Sequence, residues 1–387
     1  MTPDDLDRLR SSLAALGRGW TPDDVAVALR RLGLVVSDQL VVQALDTLRR
    51  TSVGAGPLDE LLALDGVTDV LVNGADSVWI DRGAGLELTD VSFTDEDEVR
   101  QLAVRLAAST GRRLDEATPW VDARMPDGVR VHAVLSTLSD PGTCISLRVP
   151  ARRSFGFEEL VAAGSLTPLA ERVLREVIVR RVPFLVTGGT GSGKTTLLSA
   201  LLGLVDPGER VVVIEDSREL SPRHPHVIRL EGRAANAEGA GRVSLTDLVR
   251  QSLRMRPDRV VLGEVRGPEL VDLLMAMNTG HEGGCGTVHA NSVADLPARL
   301  EALAALGGLG RDACHAQVAS ALRVVVHVAR VGGLRRVAEI GVLRRTGGLV
   351  EVASGLVVDE EGAESTASGW AELAAMCGIA RFAQVAA

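Results

Sequence analysis

Residues 188 to 196 read "GGTGSGKTT". Glycines at 188, 189, 191 and 193 let a loop fold back until several main-chain N–H groups converge, and converging donors at a helix start hold phosphate. Gly188, Gly193, Lys194 and Thr195 have the spacing of a phosphate-binding loop. The strand-forming "PFLV" before them and the helical "TTLLSALLGLV" after them supply the context that motif requires. Lys194 is then expected at the β and γ phosphates and the Thr195 hydroxyl on Mg²⁺, with Gly188, Gly189, Thr190, Gly191, Ser192, Gly193 and Thr196 completing the cradle. Of the 42 lysine and arginine residues only Lys194 is lysine. Such a loop has room for a compact ammonium with rotatable donors, whereas a planar guanidinium fork is too large and rigid to nest inside it.

A phosphate loop does not name a reaction, so the acids matter next. "VVVIEDSREL" puts Glu215 and Asp216 at the end of one buried strand, and "RVVLGEVRG" puts Glu264 at the end of another. Strand ends on the carboxyl side of a parallel sheet face the ligand crevice. Glu215, Asp216 and Glu264 can thus converge on the γ-phosphate and Mg²⁺, one to orient or deprotonate water and the others to hold the metal shell. In "MNTGHEGGCGTVHAN", His281, Cys285 and His289 are spaced four and four, but Gly283, Gly284 and Gly286 break any helix that would align them on zinc. No structural zinc is expected. Thr287 and His289 are placed instead on the strand beside Glu264, where His289 senses the γ-phosphate.

The elements that carry these residues follow from periodicity. "TPDDVAVALRRLG" reads as a helix capped by Thr21 and stopped at Gly33, within a helical segment over 1–50. An α+β domain is expected over 51–150: a hairpin at Asn73-Gly74, a helix from Thr94 to Gly111, and strands from Val129 and Thr143. A linker is read over 151–166, including "PARRSFGF". From 167 to 345 helices and strands alternate, the signal for a mostly parallel α/β sheet, closed by a hairpin about Gly332-Gly333. Residues 346–387 read as a tail, with an acidic loop at 359–364 and a small helix around Trp370.

At 387 residues more than one domain is expected, since single cores seldom grow past about 250 residues. The net charge of −9 disfavours the broad basic face that a nucleic-acid backbone needs, so no direct nucleic-acid binding is expected. Cys144, Cys285, Cys314 and Cys377 form no CxxC pair, which suits a reducing compartment. The start "MTPDDLDRLR" shows no signal peptide and no apolar run is long enough to span a bilayer, so a cytoplasmic protein is expected, at most held to the membrane by a partner.

In order along the chain, "GGTGSGKTT", "VVVIEDSREL", "LRMRPDRVVLGEVRG" and "AMNTGHEGGCGTVHANS" look like Walker A, an Asp box, an atypical Walker B and a His box. Together with "GPLDELLALDGVTDVLVNG" and "GRRLDEATPWVDARMPDGVRVHAV", they resemble the secretion-superfamily ATPases of type II and type IV secretion, pilus assembly and conjugation. The likeness is to the tight-adherence (Flp pilus) class and covers about 56–345. It implies a RecA-like core after a smaller α+β domain, ATP between the two, and a hexameric ring whose nucleotide-driven domain motion works on an inner-membrane platform protein at the cytoplasmic face. By the same resemblance Glu264 is the catalytic base, Glu215 the Asp-box acid, and Arg148 an arginine that reaches phosphate; Arg124 and Arg130 lie in the neighbouring motif. The alternative within the family is the ATPase of a conjugal DNA-transfer system. Outside it, a Ras-type GTPase would need a second lysine to read guanine, and a small-molecule kinase usually carries an Arg-bearing lid rather than a preceding domain.

Overall fold

The Thr21 hydroxyl accepts a hydrogen bond from the Asp24 amide while the Asp24 carboxylate accepts one from the Thr21 amide, a capping box that starts the helix Pro22–Arg31. The computed structural model describes residues 5, 8–9, 12–13, 21–34, 36–37, 40–41, 44, 54–83, 85–150, 154–233, 235, 239–280, 283–331 and 333–379. Most of the expected N-terminal helical segment, the first three residues of the expected linker, His281, Gly332 and residues 380–387 lie outside them. The chain divides into two compact units, Met1–Ala151 and Arg152–Ala387.

In the first unit the described residues form a six-stranded antiparallel sheet of β1 (Asp69–Asn73), β2 (Val78–Asp81), β3 (Leu86–Leu88), β4 (Trp120–Arg124), β5 (Arg130–Val134) and β6 (Cys144–Arg148), ordered β3-β2-β1-β6-β5-β4. Alternation with period two sends Val70, Val72, Val131, Ala133, Ile145 and Leu147 to one face, against Leu102 and Leu106 of the helix Glu96–Ser109. That helix is capped by Asp95, whose carboxylate accepts from the Glu98 amide, and not by Thr94; the Thr94 amide donates to the Glu98 side chain. The opposite face collects charge. Arg124 stands across from Arg130, Arg130 across from Arg148, Arg148 across from Asp69, and Asp69 across from Asp81.

In the second unit the described strands are β7 (Phe184–Thr187), β8 (Val211–Glu215), β9 (Val227–Glu231), β10 (Arg259–Leu262), β11 (Cys285–Val288), β12 (Val324–Val331), β13 (Leu334–Thr346), β14 (Leu349–Val358) and β15 (Glu364–Thr366). Their order is β15-β14-β13-β12-β7-β11-β10-β8-β9, parallel from β12 to β9 and antiparallel from β12 to β15. The inner strands β7, β8, β10 and β11 are buried along their whole length because both faces are covered, while the edge strand β9 is half-buried. Phe184, Val186, Val211 and Val213 meet the helices Pro168–Val179 and Lys194–Leu202 on one face. Leu185, Val212, Ile214, Val260 and Leu262 meet the helices Leu245–Ser252, Glu269–Asn278, Leu296–Leu306 and Arg311–Ala321 on the other. This is the α/β class expected.

Two expectations are corrected. The linker ends early, because Phe157 starts a helix, Phe157–Ala162, whose Phe157 and Leu160 are buried in the core of the second unit. The tail is no tail. β14 pairs along β13, the acidic run is a tight turn into β15, and Leu356, Leu373 and Cys377 lie in the same core as the phosphate-loop helix.

At the amino ends of the parallel strands, Arg259 is 1% exposed and donates to both oxygens of Glu209 (2.8 and 3.2 Å) and to the Ile178 carbonyl (2.8 Å). This pair ties the strand that carries Glu264 to the turn before β8 and to the helix before β7.

Candidate active site

β7 ends at Thr187 and the helix begins at Lys194, so the six residues between must reverse the chain inside a buried layer. Gly188 is obligatory: a Cβ there would collide with the Val328 carbonyl oxygen of β12. Gly193, at φ 101°, is the left-handed N-cap of the helix. Gly189 and Gly191 face open space. The Ser192 hydroxyl is buried in the loop and has no hydrogen-bond partner among the described residues, which marks the cradle as suited to a further polar group.

Lys194 is 7% exposed, and its ammonium donates to the carbonyls of Gly188 (3.0 Å) and Gly189 (2.7 Å). Burial, the largest effect, holds its pKa below the ordinary 10.5; the nearby Glu264 carboxylate works in the opposite direction. The ammonium also lies 3.5 Å from Nδ1 of His289.

β10 is followed by Gly263 and Glu264, and this segment is locked to β11 by two hydrogen bonds. The Thr287 hydroxyl donates to the Gly263 carbonyl at 2.6 Å, and the Val265 amide donates to the Thr287 carbonyl at 2.8 Å. Glu264 is thereby set beside His289, one residue past β11, and His289 Nε2 lies 2.9 Å from Glu264 Oε1. Arg266 donates to the other oxygen, Oε2. Burial and then the Lys194 charge hold the His289 pKa below 6.5, so the ring is neutral. With Nε2–H donating to Glu264, Nδ1 is left to accept from Lys194. The sequence placed Lys194, His289 and Glu264 in the site, and the fold brings these three together.

Glu215 is 3% exposed and lies behind this group, over Gly263, where any Cβ would collide with it. Its Oε1 accepts from the amides of Glu219 (3.0 Å) and Leu220 (2.8 Å), while Oε2 is buried with no hydrogen-bond partner among the described residues. Burial raises its pKa above the usual carboxylate value, against the pull of those two amides. The contacts shown make Glu215 a clamp on the loop 216–220. Asp216 is exposed in that loop, and Thr195 and Thr196 are half-buried in the first helical turn.

Among the described residues no three His, Cys, Asp or Glu side chains cluster as a metal cage. Mg²⁺ does not need one, because it keeps several waters and takes one or two protein oxygens beside substrate phosphates. The hydroxyl of Thr195 and the carboxylates of Asp216 and Glu264 are hard oxygen donors of that kind. Cys285 is wholly buried in β11, and burial pushes its thiol up to about 12, so it offers no thiolate. His281 lies outside the described residues. Arg148, Arg130 and Arg124 belong to the first unit, where strand register sets them side by side on one face.

Two residues of this neighbourhood were not picked out from sequence. Arg266 is visible only once the segment after β10 is seen to turn back on Glu264. His327 on β12 stands opposite Thr187, its Nδ1 3.0 Å from the Thr187 hydroxyl, and burial and then the Lys194 charge lower its pKa.

No helix among the described residues is long and apolar enough to cross a membrane. The family described as "Type II/IV secretion system protein" matches residues 51–348. A putative conjugal transfer protein of Mycobacterium tuberculosis (strain CDC 1551 / Oshkosh) is 53% identical over 327 residues, covering 83% of this chain and 93% of that protein. The type IV secretion system protein PtlH of Bordetella pertussis is 33% identical over 310 residues, covering 72% of this chain and 91% of that protein. Among solved structures, the pilus retraction motor PilT with bound ADP matches with a TM-score of 0.52 at 21% identity, covering 78% of this chain and 81% of that one, a likeness of fold. The phosphate loop, the acid-tipped strands and these matches along most of the chain agree: it belongs to the family of type II/IV secretion system proteins.

Proposed function

We propose that this chain is an ATPase whose hydrolysis cycle powers assembly of a Flp/Tad-type pilus or a type II/IV secretion machine. It would act as a hexameric ring with nucleotide-driven domain motion, at the cytoplasmic face of the membrane, on an inner-membrane platform protein. One observation carries the chemistry: the Glu264 carboxylate is gripped at Oε1 by neutral His289 and at Oε2 by Arg266, within range of the ammonium of the sole lysine.

In this proposal Lys194 and the amides of residues 188–196 hold the triphosphate, turning the ammonium from the loop carbonyls to the β and γ phosphates. Glu264 takes a proton from water as the water oxygen bonds to the γ-phosphorus and the bond to the β,γ-bridging oxygen breaks. His289 keeps one carboxylate oxygen fixed and responds to the γ-phosphate. Glu215 positions the loop that carries Asp216. Thr195 and Asp216 would hold Mg²⁺, which when bound neutralises charge on the phosphates. Arg148, with Arg124 and Arg130, forms an arginine row on the sheet of the first unit.

Glu264→Gln is expected to bind ATP and to lose turnover by roughly 10²- to 10⁴-fold. Lys194→Ala should lose most nucleotide affinity. A Glu264→Gln protein that hydrolyses ATP at the original rate would refute the assignment. The second reading, the ATPase of a conjugal transfer system, is favoured by the name of the 53%-identical relative. The acidic net charge of −9 argues that such a role powers the channel without gripping DNA. DNA retention on filters at low salt with a steep salt dependence would reverse that view.

A further inference from the structure

We propose that Arg335, on the hairpin of β12 and β13, is a second cation for the phosphate chain of the bound nucleotide. This rests on the ATP reading above and adds a residue to it.

The hairpin touches the end of β7 and the phosphate loop at three places. His327 meets Thr187 at 3.0 Å, the Val328 carbonyl packs on Gly188, and the stem of Arg335 lies over Gly193. A Cβ built on Gly193 would stand 3.4 Å from Arg335 Cδ and 3.8 Å from its Cβ. Gly193 is the cap of the helix whose first amides, with Lys194, would face the phosphates in that reading. Arg335 is exposed, and among the described residues its guanidinium makes no hydrogen bond or ion pair.

The other cations of the site are engaged. Arg266 is held by Glu264, and Lys194 sits on two loop carbonyls and against His289. A fully ionised triphosphate carries more negative charge than Mg²⁺ and one ammonium neutralise, and Glu264 and Asp216 add more nearby. A guanidinium fork outside the loop suits that residual charge. It is too large to enter the cradle and has the planar donor pair that binds phosphate oxygens bidentately. The Ser192 hydroxyl, buried in the same loop with no hydrogen-bond partner among the described residues, is an independent sign that the cradle takes a ligand.

The test uses the full-length protein and its Arg335→Ala, Arg335→Lys and Lys194→Ala variants. Calorimetry measures ATP and ADP binding, and displacement of a fluorescent nucleotide by inorganic tripolyphosphate gives a probe without a base. Arg335→Ala should weaken ATP, ADP and tripolyphosphate together by roughly tenfold, the scale of one charge-assisted hydrogen-bonded contact. Arg335→Lys should recover part of the loss, and the melting temperature without nucleotide should not move. Unchanged ATP affinity in Arg335→Ala overturns the proposal. So does a loss for ATP with none for tripolyphosphate, which would place the guanidinium on the base. If the unsubstituted protein binds no ATP, the underlying reading fails; if it binds ATP and only Lys194→Ala is impaired, Arg335 alone is wrong.

Discussion

His289 Nε2 and Glu264 Oε1 are 2.9 Å apart, although 24 residues of chain and a strand boundary separate them. The pair exists because Thr287 locks the segment after β10 to β11, so it is as rigid as the sheet itself. The same imidazole faces Lys194, and Arg266 and Arg299 add positive charge around it.

The first consequence is a pH dependence with a definite sign. The folded protein holds the His289 pKa below 6.5, so the unfolded chain binds that proton more readily. The penalty is absent above the ordinary value and grows as pH falls through it. Protonation would also put a second cation against Lys194 and remove the acceptor at Nδ1. His289→Gln should lower turnover by roughly 100-fold, the cost of a misplaced catalytic group. Between pH 7.5 and 5.5 it should lose less melting temperature than the unsubstituted protein; an equal loss would contradict the assignment.

Breaking the Arg259–Glu209 pair should act on stability alone. Arg259→Leu leaves the buried Glu209 carboxylate to the more distant Arg181 (3.5 Å) and is expected to cost about 3 kcal/mol in chemical denaturation. Arg259→Leu with Glu209→Leu should regain part of that. Nucleotide affinity of the folded fraction should stay unchanged, because the pair sits at the amino ends of the strands and the site at the carboxyl ends.

The strands after Thr346 are required for the fold. A chain ending at 346 loses β14 and the helix Trp370–Met376, whose Leu373 and Ala374 are buried in the core. It should fail to give a cooperative melting transition. Within the full chain, Leu373→Ala should cost about 2–5 kcal/mol. A soluble, cooperatively melting product truncated at 346 would show that this region is dispensable.

Thiol chemistry offers a check on packing. Cys285, Cys314 and Cys377 are buried, with Cys285 pushed to about 12 and Cys377 to about 11 by burial, and Cys144 is partly accessible. A thiol reagent at pH 8 should modify Cys144 and leave the other three until the protein is denatured. Mass spectrometry of peptides counts the labelled positions.

Much of the site was legible because its residues sit where local rules are strict. A glycine-rich reversal between an apolar strand and a helix admits few interpretations, and an acid at the end of a buried strand needs a polar partner, as Glu264 finds in His289 and Glu215 in two backbone amides. β14 was obscured because "LVEVASGLVV" is broken by Gly355 and followed by an acidic run that looks solvated. Gly355 is in fact required, since a Cβ there would meet Leu373 at 2.8 Å. Asp95 and Thr94 are both good caps, and only the backbone decides between them. His327 looks like one polar residue in an apolar strand until strand order places β12 beside β7. Arg124, Arg130 and Arg148 were named singly from sequence, and their alignment needed the strand register.

Lys194 is nearly buried and its basicity is reduced, in a chain with no other lysine. Apart from the terminal α-amine, every amine-selective reagent therefore has one address. Acylation of that nitrogen needs no engineered tag to be site-specific, and any ligand seated in the loop would register as a slower rate.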